Sequence, residues 1–466
     1  MSNTAVRRAH SRLTKVVLIG TAGALALSAC SSSKKTSTAS SSSSTAATSA
    51  PAPATATAVA SASSSAAAST PADSGEKITL KITDWGDFGL KGLIPQYEAL
   101  HPNITIVETS GDYNTTHQNL QKFLVAGSGA PDISAIDEGF MVSFRSQADK
   151  FVDLNAAAGD LKGNYIPWKW AESMSADGKQ IGLGTDVGGL AMCYRTDLFA
   201  AAGLPTDRDA VSKLWPTWAD FIATGKKYVA ATKGKKFLDD AVTIMNPVLG
   251  QQPVGYFDSS EKLQMDGGPK AAWDIATQTI AAGLSANLPQ SDATAWAAGF
   301  KNSAFATVSC PAWMLGQIKT NSTGTNAKWD VADIPGGGGN WGGSWWTVPA
   351  QGKHTAEATA LIKWLVQPAQ QIAVFKDAGN LPSQPALWND PAIGGYTNPD
   401  FGNAPTGKIF TAAAAKLPDP PQYLGKKNGA VRSAVESDLT AVEQGKFNAT
   451  SGWKQAASDA QKAAEG

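Results

Sequence analysis

From Ser31 to Ala72 only three of the 42 residues, Lys34, Lys35 and Val59, are anything other than Ser, Thr, Ala or Pro. Such a run has almost nothing to bury and cannot offset the entropy of ordering its own chain. A fold is therefore confined to the roughly 390 residues from Glu76 onward, more than the ~250 to 300 at which a single hydrophobic core stops growing. Two lobes are expected.

The body opens with alternation. Ile78, Leu80 and Ile82 take one face of a strand, Leu93, Ile94, Tyr97 and Leu100 recur at helical spacing, and Ile104 and Ile106 alternate again. A second helix carries Leu120, Phe123 and Leu124 on one face, and a short strand runs from Asp132 to Ile136. The order βαβαβ predicts a parallel sheet with crossover helices. Further helices are predicted at Trp218 to Ala231, Gly268 to Ala282, Ala356 to Gly379 with a kink at Pro368, and Ala430 to Gly445.

Before the low-complexity run, Arg7, Arg8, Arg12 and Lys15 precede an apolar stretch, Val16 to Ala29, too short to span a bilayer as a helix. Residues 1–29 read as an export signal. The stretch ends Leu27-Ser28-Ala29-Cys30, which resembles the lipobox of bacterial lipoproteins, so Cys30 is expected to carry lipid and residues 30–75 to act as a tether. Such a tether has a root-mean-square span of roughly 35 to 40 Å. The expected location is the outer face of the cell membrane.

The full chain has 39 basic and 39 acidic residues, and losing the signal's four basic ones leaves a net charge near −4. No basic field for nucleic acid follows from that balance. The four histidines are scattered, with no metal-ligand spacing, and neither a Walker lysine nor a strand-following GxGxxG is present. Metal and nucleotide cofactors are not expected. Fifteen tryptophans, by contrast, are an excess of flat apolar faces.

In an open α/β sheet, ligands bind beyond the carboxyl ends of the strands. Those ends here carry Asp84-Trp85, Gly111-Asp112-Tyr113 and Asp137-Glu138. Carboxylates accept hydrogen bonds from pairs of vicinal hydroxyls, and indoles cover the C–H faces of a sugar ring. The constellation suits a neutral carbohydrate.

Several segments carry a family resemblance: Gly182-Leu-Gly-Thr-Asp-Val-Gly-Gly189, Tyr194-Arg-Thr-Asp-Leu-Phe199, Ala202-Gly-Leu-Pro205, Trp215-Pro-Thr-Trp218, Cys310-Pro-Ala-Trp-Met314, Gly342-Gly-Ser-Trp-Trp-Thr347 and Gly379-Asn-Leu-Pro-Ser383. In this order the chain resembles the solute-binding lipoproteins of carbohydrate ABC importers (extracellular solute-binding protein family 1), with wording nearest the actinobacterial cellobiose and cello-oligosaccharide binders. The resemblance implies a two-lobed periplasmic-binding-protein-like α/β fold with hinge strands and a ligand cleft between the lobes. It also implies a monomer with no catalysis and no cofactor, which passes its oligosaccharide to ABC permease subunits. It places residues 76–185 and about 310–343 in the first lobe, and 186–309 and 344–466 in the second.

The candidate ligand contacts are Trp85, Tyr113, Asp137, Glu138, Asp186, Trp313, Trp345 and Trp346. Each has a structural alternative. Asp137 could cap the helix that follows and Glu138 favour its positive end; Asp186 could fix the turn before Gly188-Gly189. Trp313 corresponds to an aromatic platform in the family. Two adjacent indoles cannot both enter one core, so one of Trp345 and Trp346, with Trp345 preferred, is expected to face the sugar. The family pattern also sets Cys193 and Cys310 in neighbouring interlobe strands, where outside the cell they could bond or stay as buried thiols.

Two other classes compete. A secreted glycoside hydrolase could use Asp137 with Glu138, or Asp84 with Asp87, as its carboxylate pair. A cell-wall glycan-binding lipoprotein would use the same tether.

Overall fold

In the computed structural model, residues 75–417 and 421–466 are described. The signal, Cys30 and the tether therefore lie outside the described residues. The described chain forms ten strands: β1 (Ile78–Asp84), β2 (Ile104–Ser110), β3 (Ile133–Asp137), β4 (Gly182–Gly184), β5 (Asp186–Val187), β6 (Ala191–Arg195), β7 (Thr307–Ser309), β8 (Trp329–Asp333), β9 (Ser344–Thr347) and β10 (Leu381–Pro382).

The first lobe is built on a five-stranded sheet in the order β2-β1-β3-β9-β4. β1 pairs parallel with β2 and with β3, as the βαβαβ pattern requires, and β9 runs antiparallel between β3 and β4. Leu80 and Ile82 are fully buried on one face with Ile133 and Ala135. The second lobe is built on the antiparallel sheet β7-β6-β8 and a large helical core around Trp215, Phe221, Tyr228, Phe237 and Trp273.

The lobe boundaries differ from the sequence expectation. β8 pairs with β6, so residues 310–333 stay in the second lobe, and β9 completes the first sheet, so the chain after Gly343 returns to the first lobe. The helices Thr355–Leu365 and Pro368–Ala378 follow it there and bury Leu361, Ile362, Leu365 and Val374 against that sheet. The return crossing is thus the glycine-rich strap 336–343, which no hydrophobic period marks.

Three segments join the lobes. The first leaves β4 through β5, the second is the strap, and the third, β10, pairs antiparallel with β5. The first two are tied together: Trp341 N–H donates to the Gly188 carbonyl at 3.0 Å and Gly188 N–H to Asn340 Oδ1 at 2.9 Å. Any Cβ on Gly188 would run into the Trp341 carbonyl, so this crossing requires glycine. Cys193 and Cys310 are disulfide-bonded, with Cα atoms 5.6 Å apart. They join β6 to the residue after β7, and so lie in the second-lobe sheet and not in the interlobe segments the family pattern suggested.

Candidate functional site

A cleft of about 740 Å³ lies between the lobes. The first lobe lines it with Trp85, Asp87, Tyr113 and Asp137, the second with Thr243, Gln290, Trp313, Arg432 and Glu436, and the crossings with Asp186, Trp341 and Gly343.

The first-lobe wall is set by strand ends. Trp85 follows β1 and packs edge-on against Tyr113, with ring centroids 5.5 Å apart. Tyr113 opens the helix Tyr113–Ala126, which Asp112 caps by accepting from Thr115 N–H at 2.9 Å. The Tyr113 hydroxyl donates to Asp137 Oδ1 at 2.6 Å, and the same oxygen caps the next helix by accepting from Gly139 N–H at 2.9 Å. Asp137 is therefore both cap and cleft wall.

Behind this wall His117 is held as the neutral tautomer. Its Nδ1 pairs with the Tyr113 carbonyl at 2.7 Å and its Nε2 accepts from Asp137 N–H at 3.0 Å, and burial pushes its pKa down to about 4. The ring stacks on Phe140 at 4.1 Å.

On the facing wall, Trp313 donates its indole N–H to the Trp341 carbonyl at 2.9 Å, and the two rings meet edge to face at 5.4 Å. That bond fixes the plane of Trp313. Arg432, on the helix Asn428–Glu443, donates to Glu436 at 2.7 Å while its guanidinium carbon lies 5.9 Å from the Tyr113 ring across the cleft. Asn246 Nδ2 donates to the same Glu436 oxygen at 2.9 Å. The wall so built combines flat aromatic faces with oriented donors and acceptors.

Of the eight candidate contacts, five line the cleft: Trp85, Tyr113, Asp137, Asp186 and Trp313. Asp186 Oδ1 accepts from Thr185 Oγ1 at 2.6 Å and Ser344 N–H at 3.0 Å, so it also clamps two crossings together. Glu138 does not line the cleft. Its carboxylate accepts from Asn340 Nδ2 at 2.6 Å and Gly342 N–H at 2.8 Å, pinning the strap to the first lobe, and burial beside Asp137 pushes its pKa up to about 8.

Trp345 and Trp346 are both corrected. They sit on β9 in the interior of the first sheet and point to opposite faces, each covered by its own core: Trp345 packs with Ile136, Met141 and Phe144, Trp346 with Phe88, Leu183 and Leu361. Two adjacent indoles do not fit one core, but a strand covered on both faces provides two. Asp84 is likewise buried and absent from the cleft wall. Sequence reasoning missed Trp341, Arg432 and Glu436. The first shares a motif with the preferred tryptophan, and the other two fall on a helix whose facing lobe the sequence does not reveal.

A family model described as bacterial extracellular solute-binding protein matches residues 92–396. A crystal structure of an extracellular solute-binding protein family 1 member is 40% identical, with a TM-score of 0.70 over 83% of this chain and 100% of that one. The ABC transporter associated binding protein from B. animalis subsp. lactis, solved with β-1,6-galactobiose, shares the fold at 21% identity and a TM-score of 0.70, over 82% of this chain and 96% of that one. The arabinooligosaccharide-binding protein of Bacillus subtilis (strain 168) is 27% identical over 206 residues, 42% of this chain and 46% of that protein. The match thus spans just under half the length of that relative. With its two α/β lobes, three crossings and interlobe cleft, the chain belongs to the bacterial extracellular solute-binding proteins, a family of binding proteins with the periplasmic-binding-protein-like fold.

Proposed function

We propose that this protein captures an oligosaccharide in its interlobe cleft and delivers it to the permease subunits of an ABC importer, held at the outer face of the membrane by lipid on Cys30. The observation that carries this reading is the cleft wall, where Trp85 and Tyr113 of one lobe face Trp313 of the other among carboxylates, amides and one guanidinium. Several aromatic faces imply more than one sugar ring to stack. A ligand that touches both lobes favours the closed state by its differential affinity, which is what lets a permease distinguish loaded from empty protein.

The favoured ligand is cellobiose or a short cello-oligosaccharide. Relatives named for arabinooligosaccharides make that series the main competitor. Calorimetric titration of the mature body against glucose, cellobiose, cellotriose and arabino-oligosaccharides tests the reading. Binding of a di- or trisaccharide recovered intact supports it; shortened sugar would reassign the protein as a hydrolase, and glucose bound as tightly as any oligosaccharide would sink the multi-ring argument.

Trp313→Ala is expected to weaken binding by ~1 to 3 kcal/mol, the loss found when a base loses its aromatic stacking partner. Its hydrogen bond to Trp341 fixes its plane in the cleft wall. Unchanged affinity in a folded variant would move the platform to Trp85. For the anchor, Cys30→Ala should shift the protein from the membrane fraction to the medium without changing affinity, because stable anchoring rests on the acyl chains. Retention of the variant in the membrane would point to another tether.

A further inference from the structure

The helices Val242–Gly250 and Asn428–Glu443 lie side by side and antiparallel in the second lobe. Ala241 N–H, just before the first helix, donates at 3.4 Å to Glu443 Oε2 at the end of the second, and further along Asn246 Nδ2 donates to Glu436 Oε1 at 2.9 Å. Both helices turn one face to the cleft. Val242 and Asn246 line it from the first, and Arg432, Glu436, Thr440 and Gln444 from the second, at the four-residue spacing that keeps side chains on one side of a helix. From Arg432 to the C-cap Gln444 the helix rises ~18 Å, at ~1.5 Å per residue. Two linked pyranose rings fall well short of that length.

The aromatic wall sits at one end of this groove. Arg432 lies 5.9 Å from the Tyr113 ring, which packs on Trp85 at 5.5 Å. Trp313 and Trp341 belong to the same end, because Asn340 N–H, next to Trp341, donates at 3.4 Å to the carbonyl of Gly250, the last residue of the first helix. Beyond Glu436 the wall changes character. Val242, Thr440, Ala441 and Gln444 bring no aromatic ring to it, while Ser437 and Gln444 offer a hydroxyl and an amide that make no side-chain hydrogen bond among the described residues. A sugar ring placed there finds groups to bond with its hydroxyls but no face to stack on.

We infer that this half of the cleft is a non-stacking extension of the binding site, which makes the ligand a linear trisaccharide or longer: its first rings lie among the aromatic faces and the next is held along the helix Asn428–Glu443 by its hydroxyls. The inference rests on the oligosaccharide reading above and narrows it. Small side chains leave the room for that ring. Ser437 and Ala441, one turn apart, present a hydroxyl and a methyl group to the cleft, where the long stems of lysine or arginine would cover the same surface. One or two hydrogen bonds to a further ring, at their usual net strength in water, are worth roughly tenfold in affinity.

Calorimetry with the di-, tri- and tetrasaccharide of whichever series binds tests the inference. Wild type is expected to hold the trisaccharide at least ~10-fold more tightly than the disaccharide. In the double variant Ser437→Leu with Ala441→Leu, two aliphatic side chains of good helix propensity fill the groove without offering a platform or an acceptor, and the preference for length should fall to within about twofold. Equal affinity of wild type for both lengths overturns the inference, and so does a preference that survives the double substitution. An equal loss at every length also overturns it, since a disturbed helix would weaken all sugars alike. Should the double variant fail to fold, Gln444→Leu at the exposed C-cap should weaken the trisaccharide at least ~3-fold more than the disaccharide, and an unmoved ratio overturns the inference. No sugar bound at any length sinks the oligosaccharide reading and this inference with it, whereas a disaccharide bound as tightly as the longer sugars sinks the inference alone.

Discussion

Trp345→Ala is expected to lower the stability of the body by ~3 to 5 kcal/mol, the range for removing a large aromatic from a packed core. Trp345 is fully buried, its indole N–H donates to the Lys169 carbonyl at 3.1 Å, and its backbone pairs with Ile136 on one side and Gly184 on the other. The neighbouring strand has closed around it, since a Cβ on Gly182 would come within 2.9 Å of Trp345 Cβ. Little can relax into the space the ring leaves. In denaturant titration the unfolding midpoint should fall well below wild type, while the folded fraction loses less sugar affinity than Trp313→Ala does. The opposite pattern, intact stability with binding reduced more than ~100-fold, would restore Trp345 as a direct contact.

The correction at Trp345 shows where sequence periodicity stops being informative. Alternation along Ser344–Thr347 implies that neighbouring side chains take opposite faces, and they do. Whether a face is open or covered depends on where the strand lies in its sheet, and β9 is flanked by β3 and β4, more than 150 residues distant in sequence. The opening βαβαβ unit was legible because each element carries its own period and its strands pair with one another in parallel. The helix Trp218–Ala231 was legible to its end residues, helped by Thr217, whose backbone and side chain cap it by accepting from Phe221 and Asp220. By contrast, the helix expected from Ala356 to Gly379 is two helices, with Pro368 opening the second. The last helix, Ala449–Glu465, was not anticipated: its buried residues are the small Gly452, Ala456 and Ala460, so the buried face lacks the large apolar side chains that mark the other helices.

Much the same holds for the cleft. Its strand-end residues Trp85, Tyr113 and Asp137 were legible from the rule that ligands sit beyond the carboxyl ends of strands. Arg432 and Glu436 come from a helix late in the chain, and only the packing of the lobes brings them to the facing wall. Lys169 carries no local signal at all. A lysine on a six-residue helix is normally solvated, and the burial of this one follows from the close passage of the crossing at Gly343 above it.

Replacing both Cys193 and Cys310 by alanine is expected to cost the body ~2 to 5 kcal/mol, the usual range for a native disulfide. The bond closes a loop with a sequence separation of 117, for which the chain-entropy argument gives ~4 to 5 kcal/mol before native strain is subtracted. That loop holds most of the second lobe's core, including Trp215, Phe221, Tyr228, Phe237 and Trp273. Constraining the unfolded chain therefore bears on the larger of the two hydrophobic bodies. Ligand affinity should change only a few-fold, because backbone bonds still hold the strand ends together: Cys310 N–H donates to the Ala191 carbonyl at 2.9 Å and Ala191 N–H to the Cys310 carbonyl at 3.2 Å. Trp313, three residues on, keeps its own bond to Trp341. Thiol titration of denatured protein lacking Cys30, without reductant, should find no free thiol; two per chain would rule the bridge out. With the bridge present, reductant should lower the denaturation midpoint of wild type and leave the double alanine variant where it stands, since a reductant acts on stability here only by opening this one loop.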